Sequence, residues 1–397
     1  MHESGTICFC NTNIPWGGGE AWHLNAACSL SARGRRVLFI CHPDGALYER
    51  VASIPHITAI PVRLGRLSFL NPFLRGRLVC LFKAEGVDAL IMNLPSDLKA
   101  AGPAAAQAGV RHIIYRRGSA LPVRNSLMNR YLYGRVISRL IANSEATKEQ
   151  VLVNNPRLIG EDRISVIPNG IDIEAFDAGL ERARKAAPLL PRVAGKDGRG
   201  PFVLGTAGRL NRQKAQHLVL ELGKKLSDAG LDCRIVFAGA GERERELKRL
   251  AAKLGLHDRT VFCGFMPDLS PFWLGIDIFV LTSLWEGFGN VVIEAGLAER
   301  PVLAFAVSNL PELVVQGPAG SGMLFPLPPG AEGRALRSRG EEGAGSDCDA
   351  ALKAMAEAVL DLAASPAKLE AMGRAGRSNA LRYSQERCMD TLEALLR

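Results

Sequence analysis

Two successive trains of short apolar runs, each run closed by a Gly-rich or polar turn and followed by a helix-patterned segment, restrict this chain to an α/β architecture built on parallel sheets. The first train reads TICFC, RRVLFICH, ALIMNL, HIIYRR and RLIANS. Its rhythm pauses near ISVIPNGIDIEAFDAG, and a basic, Pro/Ala/Gly-rich stretch follows, LERARKAAPLLPRVAGKDGRG. The second train then starts with FVLGTAGRL and continues through CRIVFAGAG, TVFCGF, IFVLTS and PVLAFAV. The pattern predicts two doubly wound domains, residues 1–180 and 201–380, joined by a linker at 181–200. Residues 381–397 are expected to form a helix that packs back on the first domain, and 328–348, rich in Gly and poor in large apolar residues, a mobile surface insertion.

At 397 residues the chain exceeds one hydrophobic core, which agrees with two domains. A 47% hydrophobic and 22% charged composition excludes disordered and collagen-like classes. The opening MHESGTICFCNTN has no basic segment leading into an apolar one, and no run of about 18 apolar residues follows anywhere, so a cytoplasmic location is expected. Nine cysteines, an odd number without CxxC spacing, read as buried thiols in a reducing compartment, and no metal site is expected. The net charge is +9, and residues 111–139 hold seven arginines and no acid. Such a stretch suits an acidic or phosphorylated acceptor or an anionic membrane surface, and equally a solvated basic face. Nucleic acid is not expected, because no recognisable reading module accompanies the charge.

Ligands of open parallel sheets bind beyond the carboxyl ends of the strands, and clefts between domains are favoured sites. Residues just after strands are therefore the candidates. After the first strand, Gly17, Gly18 and Gly19 precede a helix, where backbone N–H groups can approach an anion. After FVLGTAG come Arg209 and Lys214, two cations able to hold a diphosphate. Gly239 and Gly241 read as turn chemistry only. TSLWEGFGNVVIEAGLAE then places Glu286 on a loop and Glu294 early in the next helix, with Gly287 and Gly289 between. Carboxylates there can accept hydrogen bonds from sugar hydroxyls, and the helix start favours a phosphate.

These motifs resemble those of the retaining GT-B glycosyltransferases of family 4, the glycosyl transferases group 1. The signature is EGFGNVVIE, two glutamates separated by seven residues, accompanied by GGGE, IANSEATKEQV, VIPNGIDIEAF and GRLNRQK over nearly the whole chain. The resemblance implies a GT-B fold, two Rossmann-like domains facing a central cleft, that closes over a nucleotide diphosphate sugar such as a UDP- or GDP-sugar. It implies that Glu294 holds the ribose. Glu286 and the backbone of Phe288, Gly289, Asn290 and Val291 would face the transferred sugar. Arg209 and Lys214 would grip the diphosphate, so that Glu286, Arg209 and Lys214 form the catalytic set, with Gly18 and Gly19 completing the donor site. Many family members carry a histidine after the fourth strand of the first domain. Here HIIYRRGSALP begins with His112, and Arg116 and Arg117 stand at the strand's end, so these arginines and Gly17 are expected to meet the acceptor. The implied activity is a hexosyltransferase of cell-surface polysaccharide synthesis, acting on an anionic or lipid-linked glycan, such as a lipopolysaccharide core, with peripheral contact to the inner face of the cytoplasmic membrane. A sugar-nucleotide epimerase on the same fold and a non-catalytic nucleotide or glycan binder are the alternatives.

Overall fold

The computed structural model describes residues 5–189, 200–327 and 348–397. The chain divides into two compact units, one of Met1–Gly170 with Gln385–Arg397 and the other of Ile171–Ser384. Residues 328–347 of the expected insertion 328–348, and residues 190–199 of the linker, lie outside the described residues. Of the remaining linker stretch, residues up to Lys185 belong to a helix, Ile173–Lys185.

The first unit holds a seven-stranded parallel sheet. Its strands are β1 (Thr6–Asn11), β2 (Val37–Cys41), β3 (Ile57–Pro61), β4 (Val87–Met92), β5 (His112–Arg117), β6 (Arg139–Ala142) and β7 (Ile164–Val166). They lie in the order β3-β2-β1-β4-β5-β6-β7, and the chain reverses direction of winding at β1. Both faces are covered, so β1, β2 and most of β4 are buried residue after residue and read as unbroken apolar runs. One face packs on the helices Pro72–Ala84 and Pro95–Ala108, through Leu78, Phe82, Leu98 and Ala101. The other packs on the helix Gly18–Ala32 and on the C-terminal helix Gln385–Ala394, whose Cys388, Met389 and Leu392 join Ile7, Phe9 and Trp22. Arg33 fixes that C-terminal helix through Asp390 at 2.7 Å and Glu393 at 3.0 Å.

The second unit holds a six-stranded parallel sheet of β8 (Phe202–Ala207), β9 (Cys233–Ala238), β10 (Thr260–Phe262), β11 (Ile278–Leu281), β12 (Val302–Phe305) and β13 (Gly322–Phe325). The order is β10-β9-β8-β11-β12-β13, again with the winding reversed beside the first strand. Trp273 and Phe279 meet edge to face inside its core, and Phe272 packs on Trp273 in the same way. In both sheets the order reverses at the strand pair β1/β4 or β8/β11, which is where a doubly wound sheet opens a crevice for ligands.

Candidate active site

In the second unit the loops after β8 and β11 meet. The side-chain amide of Gln213 donates to the Trp285 carbonyl at 2.9 Å, and the Leu284 amide donates to the Gln213 carbonyl at 2.9 Å. Thr282 Oγ1 donates to the Lys214 and Ala215 carbonyls, both at 3.1 Å. This lacing sets Lys214 Nζ 2.7 Å from Glu286 Oε1, with side-chain exposures of 15% and 5%. A charge pair so shielded from water is a strong, directional contact, and the lysine keeps two further N–H donors for an anion. Arg209, five residues earlier, is exposed, and its carbonyl accepts from Gln216 Nε2 at 2.9 Å.

Glu286 is held from a third loop. Its amide donates to Ser308 Oγ at 3.0 Å, and Asn309 Nδ2 donates to the Phe288 carbonyl at 2.7 Å. Ser308 has φ of 51°, a left-handed conformation costly for a residue with a Cβ, and Asn309 is fully buried. Sequence reasoning missed both residues. Their signal was their place, directly beyond the carboxyl end of β12. The Phe288 side chain packs into the core against Tyr383.

The helix Asn290–Leu297 begins at Gly289, whose φ of 84° lets the chain turn sharply out of the loop. Val291 is half-buried against the core. Glu294, in the second turn of that helix, has its carboxyl pushed up to about 7 by burial. The loop after β9 closes this end of the sheet. A Cβ at Gly239 would lie 2.0 Å from the Gly208 carbonyl oxygen, so the absence of a side chain lets the two loops pack closely.

In the first unit Gly17 precedes the helix Gly18–Ala32, so Gly17, Gly18 and Gly19 stand beyond the carboxyl end of β1. Beneath them is a buried polar cluster that the sequence did not disclose. Glu20, 4% exposed, accepts from Asn11 Nδ2 at 3.3 Å and Asn93 Nδ2 at 3.4 Å. Asp97, fully buried, accepts from Thr12 Oγ1 at 2.5 Å and from the Leu94 amide at 3.1 Å, and burial raises its carboxyl to about 7. His23 is buried with Nδ1 3.0 Å from the Gly19 carbonyl, and burial, reinforced by the charge of Arg116, lowers it to about 3. It is a neutral imidazole at ordinary pH.

Arg116 departs from the expectation that it meets an acceptor. Its guanidinium is 1% exposed, donates to Asn169 Oδ1 at 2.6 Å and lies over the Trp22 ring at 4.3 Å. Position 116 is a buried position of β5, and the side chain finds an amide and an aromatic face there, a stable place for a guanidinium. Burial lowers it to about 9. Arg117, at the end of β5, donates to the Leu121 carbonyl. His112 opens β5, half-buried.

The two sheets and their order define the class: this is the GT-B fold of glycosyltransferases. Residues 16–175 match the model of Glycosyltransferase Family 4, and residues 192–331 match that of Glycosyl transferases group 1. The chain is 31% identical over 156 residues to the 2-deoxystreptamine glucosyltransferase of Streptomyces kanamyceticus, which covers 38% of each protein. It is 32% identical over 168 residues to the lipopolysaccharide core biosynthesis mannosyltransferase LpsB of Rhizobium meliloti, covering 41% of this chain and 46% of that one. The alignments thus span less than half the length of these curated relatives. The crystal structure of Anabaena Alr3699/HepE in complex with UDP and glucose superimposes with a TM-score of 0.75 over 99% of both chains at 20% identity.

Proposed function

We propose that this chain is a retaining glycosyltransferase that moves a hexose from a nucleotide diphosphate sugar to a glycan acceptor in cell-surface polysaccharide synthesis. The observation that carries the reading is the convergence of Lys214, Glu286 and the start of helix Asn290–Leu297 beyond the carboxyl ends of β8 and β11. In this reading Lys214 and Arg209 take the diphosphate, and Glu294 accepts from the ribose hydroxyls. Glu286 and the backbone from Phe288 to Val291 face the sugar. As the glycosidic bond breaks, negative charge grows on the leaving diphosphate, and cations already in place stabilise it without reorganising. Lys214 would then exchange part of its bond to Glu286 for phosphate oxygens, leaving the Glu286 carboxylate free to accept from the sugar.

A UDP-sugar is the first donor to test, since the Anabaena protein was crystallised with UDP and glucose. The acceptor is assigned to the first unit, with Gly17 and Arg117 at the strand ends, and the arginines of 111–139 favour an anionic or lipid-linked glycan at the inner face of the cytoplasmic membrane. No helix among the described residues is long and apolar enough to cross a membrane. The protein is accordingly proposed to be cytoplasmic and peripheral.

The test is a thermal-shift panel of nucleotides and nucleotide sugars with the native chain, Glu294→Ala and Lys214→Ala, followed by acceptor assays. One nucleoside diphosphate should raise the melting temperature of the native chain and of neither variant. Its release from the sugar only when acceptor is present establishes transfer. Acceptor-free isomerisation would install the epimerase reading instead, and binding without turnover the non-catalytic one.

A further inference from the structure

We propose that the first unit carries a docking surface for an anionic lipid bilayer, formed where the segment 63–83 meets the segment 121–135. The proposal deepens the membrane contact above and rests on that reading for its purpose, but its evidence is separate.

Seven of the twelve large apolar side chains exposed among the described residues fall in two short stretches, Leu67, Leu70 and Phe73 in one and Leu121, Leu127, Met128 and Tyr131 in the other. Phe73 and Leu127 are 83% and 82% exposed. Such crowding of large apolar groups on water is uncommon and marks a contact surface. The two stretches are neighbours in space. A cleft of about 160 Å³ is lined by Phe69, Leu74 and Arg75 from the first, by Met128 and Tyr131 from the second, and by Lys99 from the helix between them. Lys99 Nζ sits 5.9 Å from the centre of the Phe69 ring.

Local structure keeps these groups outward. Asn71 caps the helix Pro72–Ala84, its side chain accepting from the Phe73 and Leu74 amides at 3.0 and 3.1 Å. Leu78 and Phe82 then turn into the core, while Phe73 and Arg77, four residues apart, share the opposite face. Short 3₁₀ and α-helical turns, Ser68–Leu70 and Leu127–Tyr131, present the remaining apolar groups.

Charge identifies the occupant. From residue 50 to 84 the chain has six cations and no acid, and from 98 to 144 it has seven arginines and one lysine, again with no acid. Arg66, Arg75, Arg77, Arg124, Arg130 and Arg135 are exposed, and no carboxylate among the described residues pairs with any of them. A second copy of the chain would bring like charge against this face. A bilayer with anionic headgroups satisfies both components, since apolar tips enter the boundary of the acyl region while arginine stems lie along it with their guanidinium groups at phosphates. The cleft is large enough for the end of one acyl chain, with Arg75 and Lys99 at its wall for the headgroup.

The experiment is flotation of the full chain with vesicles of phosphatidylcholine containing about a third phosphatidylglycerol, against pure phosphatidylcholine. The native chain should float with the first and not the second, and high salt should release it. Leu70→Ser with Phe73→Ser, and separately Arg75→Ser with Arg77→Ser, should each weaken binding by roughly tenfold or more. All four positions are exposed or face the cleft, so folding is retained. Leu381→Ser, an exposed apolar position of the other unit, should leave binding unchanged. The proposal is overturned by a native chain that ignores anionic vesicles or by double variants that float as the native does. It is equally overturned if the apolar double variant turns a dimer into a monomer without vesicles, because the face then serves a second copy. Nucleotide binding is measured on the same proteins without lipid. Vesicle binding without any nucleotide shift would sink the transferase reading and leave the surface standing, and the reverse pattern would do the opposite.

Discussion

Lys214 and Glu286 are nearly shut off from water, so each depends on the other for its solvation. Removing one leaves an uncompensated charge in a poorly hydrated place, which costs about 3 kcal/mol or more, whereas removing both together costs far less. Lys214→Ala should therefore lower the melting temperature markedly, and Lys214→Met combined with Glu286→Leu should recover much of the loss while still failing to bind nucleotide. Additive losses in a double-mutant cycle would show that the pair contributes nothing as a pair. Glu294 makes a different prediction. Its folded carboxyl, near 7, lies above the ordinary 4.5, so the folded state holds the proton more tightly than the unfolded chain. The stability this confers is complete below 4.5 and lost as pH climbs through about 7. Glu294→Gln does not titrate, so without ligand its melting temperature relative to the native chain should rise between pH 5 and pH 8, even as nucleotide affinity falls by roughly tenfold to a hundredfold. A constant difference across that range would refute the assignment. These residues could be singled out as candidates from one sequence because their charges stand just beyond strand-like runs. Arg116 could not be read correctly, because alternation along β5 assigns a side chain to one of two covered faces and does not say that an amide and an indole await it there. Ser308 and Asn309 were silent for the same reason, since their roles lie in a partner loop distant in sequence.

Interior strands announced themselves as unbroken apolar runs, and β1, β2, β4, β5 and β6 in one sheet and β8, β9, β11 and β12 in the other were all legible. Of the edge strands only β10, within TVFCGF, was legible, and the other three were harder. The segment ITAIP of β3 alternates in burial and ends in a proline, ISV of β7 is three residues long, and GMLF of β13 starts with glycine. A strand with one neighbour is short and only partly covered, so its sequence carries little of the apolar signal that two covered faces impose. At the start of helix Asn290–Leu297 the element depends on one backbone angle. Gly289→Ala must hold a Cβ at φ of 84°, and that atom would approach Leu310 to 3.0 Å. A loss of about 1–2 kcal/mol is expected, together with weaker nucleotide binding, since the loop carrying Glu286 would shift. Denaturant midpoints and the nucleotide-induced thermal shift, measured on the same variant, check both parts.

The largest scale is set by the cores. The apolar cluster of the second sheet is built entirely from residues between Leu180 and Ala380, whereas the clusters of the first sheet take theirs from Ile7 to Ile167 and from the C-terminal helix. Among the described residues, no buried apolar side chain belongs to both. Each unit therefore has the means to unfold with its own cooperativity, and perturbations can be addressed to one of them. Leu392 is fully buried against the first sheet although it lies at the far end of the chain. Leu392→Ala opens a cavity there and should cost about 2–5 kcal/mol. Calorimetry is expected to show two transitions, of which Leu392→Ala lowers one while a bound nucleoside diphosphate raises the other by mass action. Hydrogen exchange assigns them, with faster exchange in β1 and β2 for the variant and slower exchange in β8 and β11 with the nucleotide. If the substitution and the nucleotide moved the same transition, or if exchange changed in the same strands, the donor would have to be bound by the first unit, contrary to the placement of Lys214, Glu286 and Glu294 in the second.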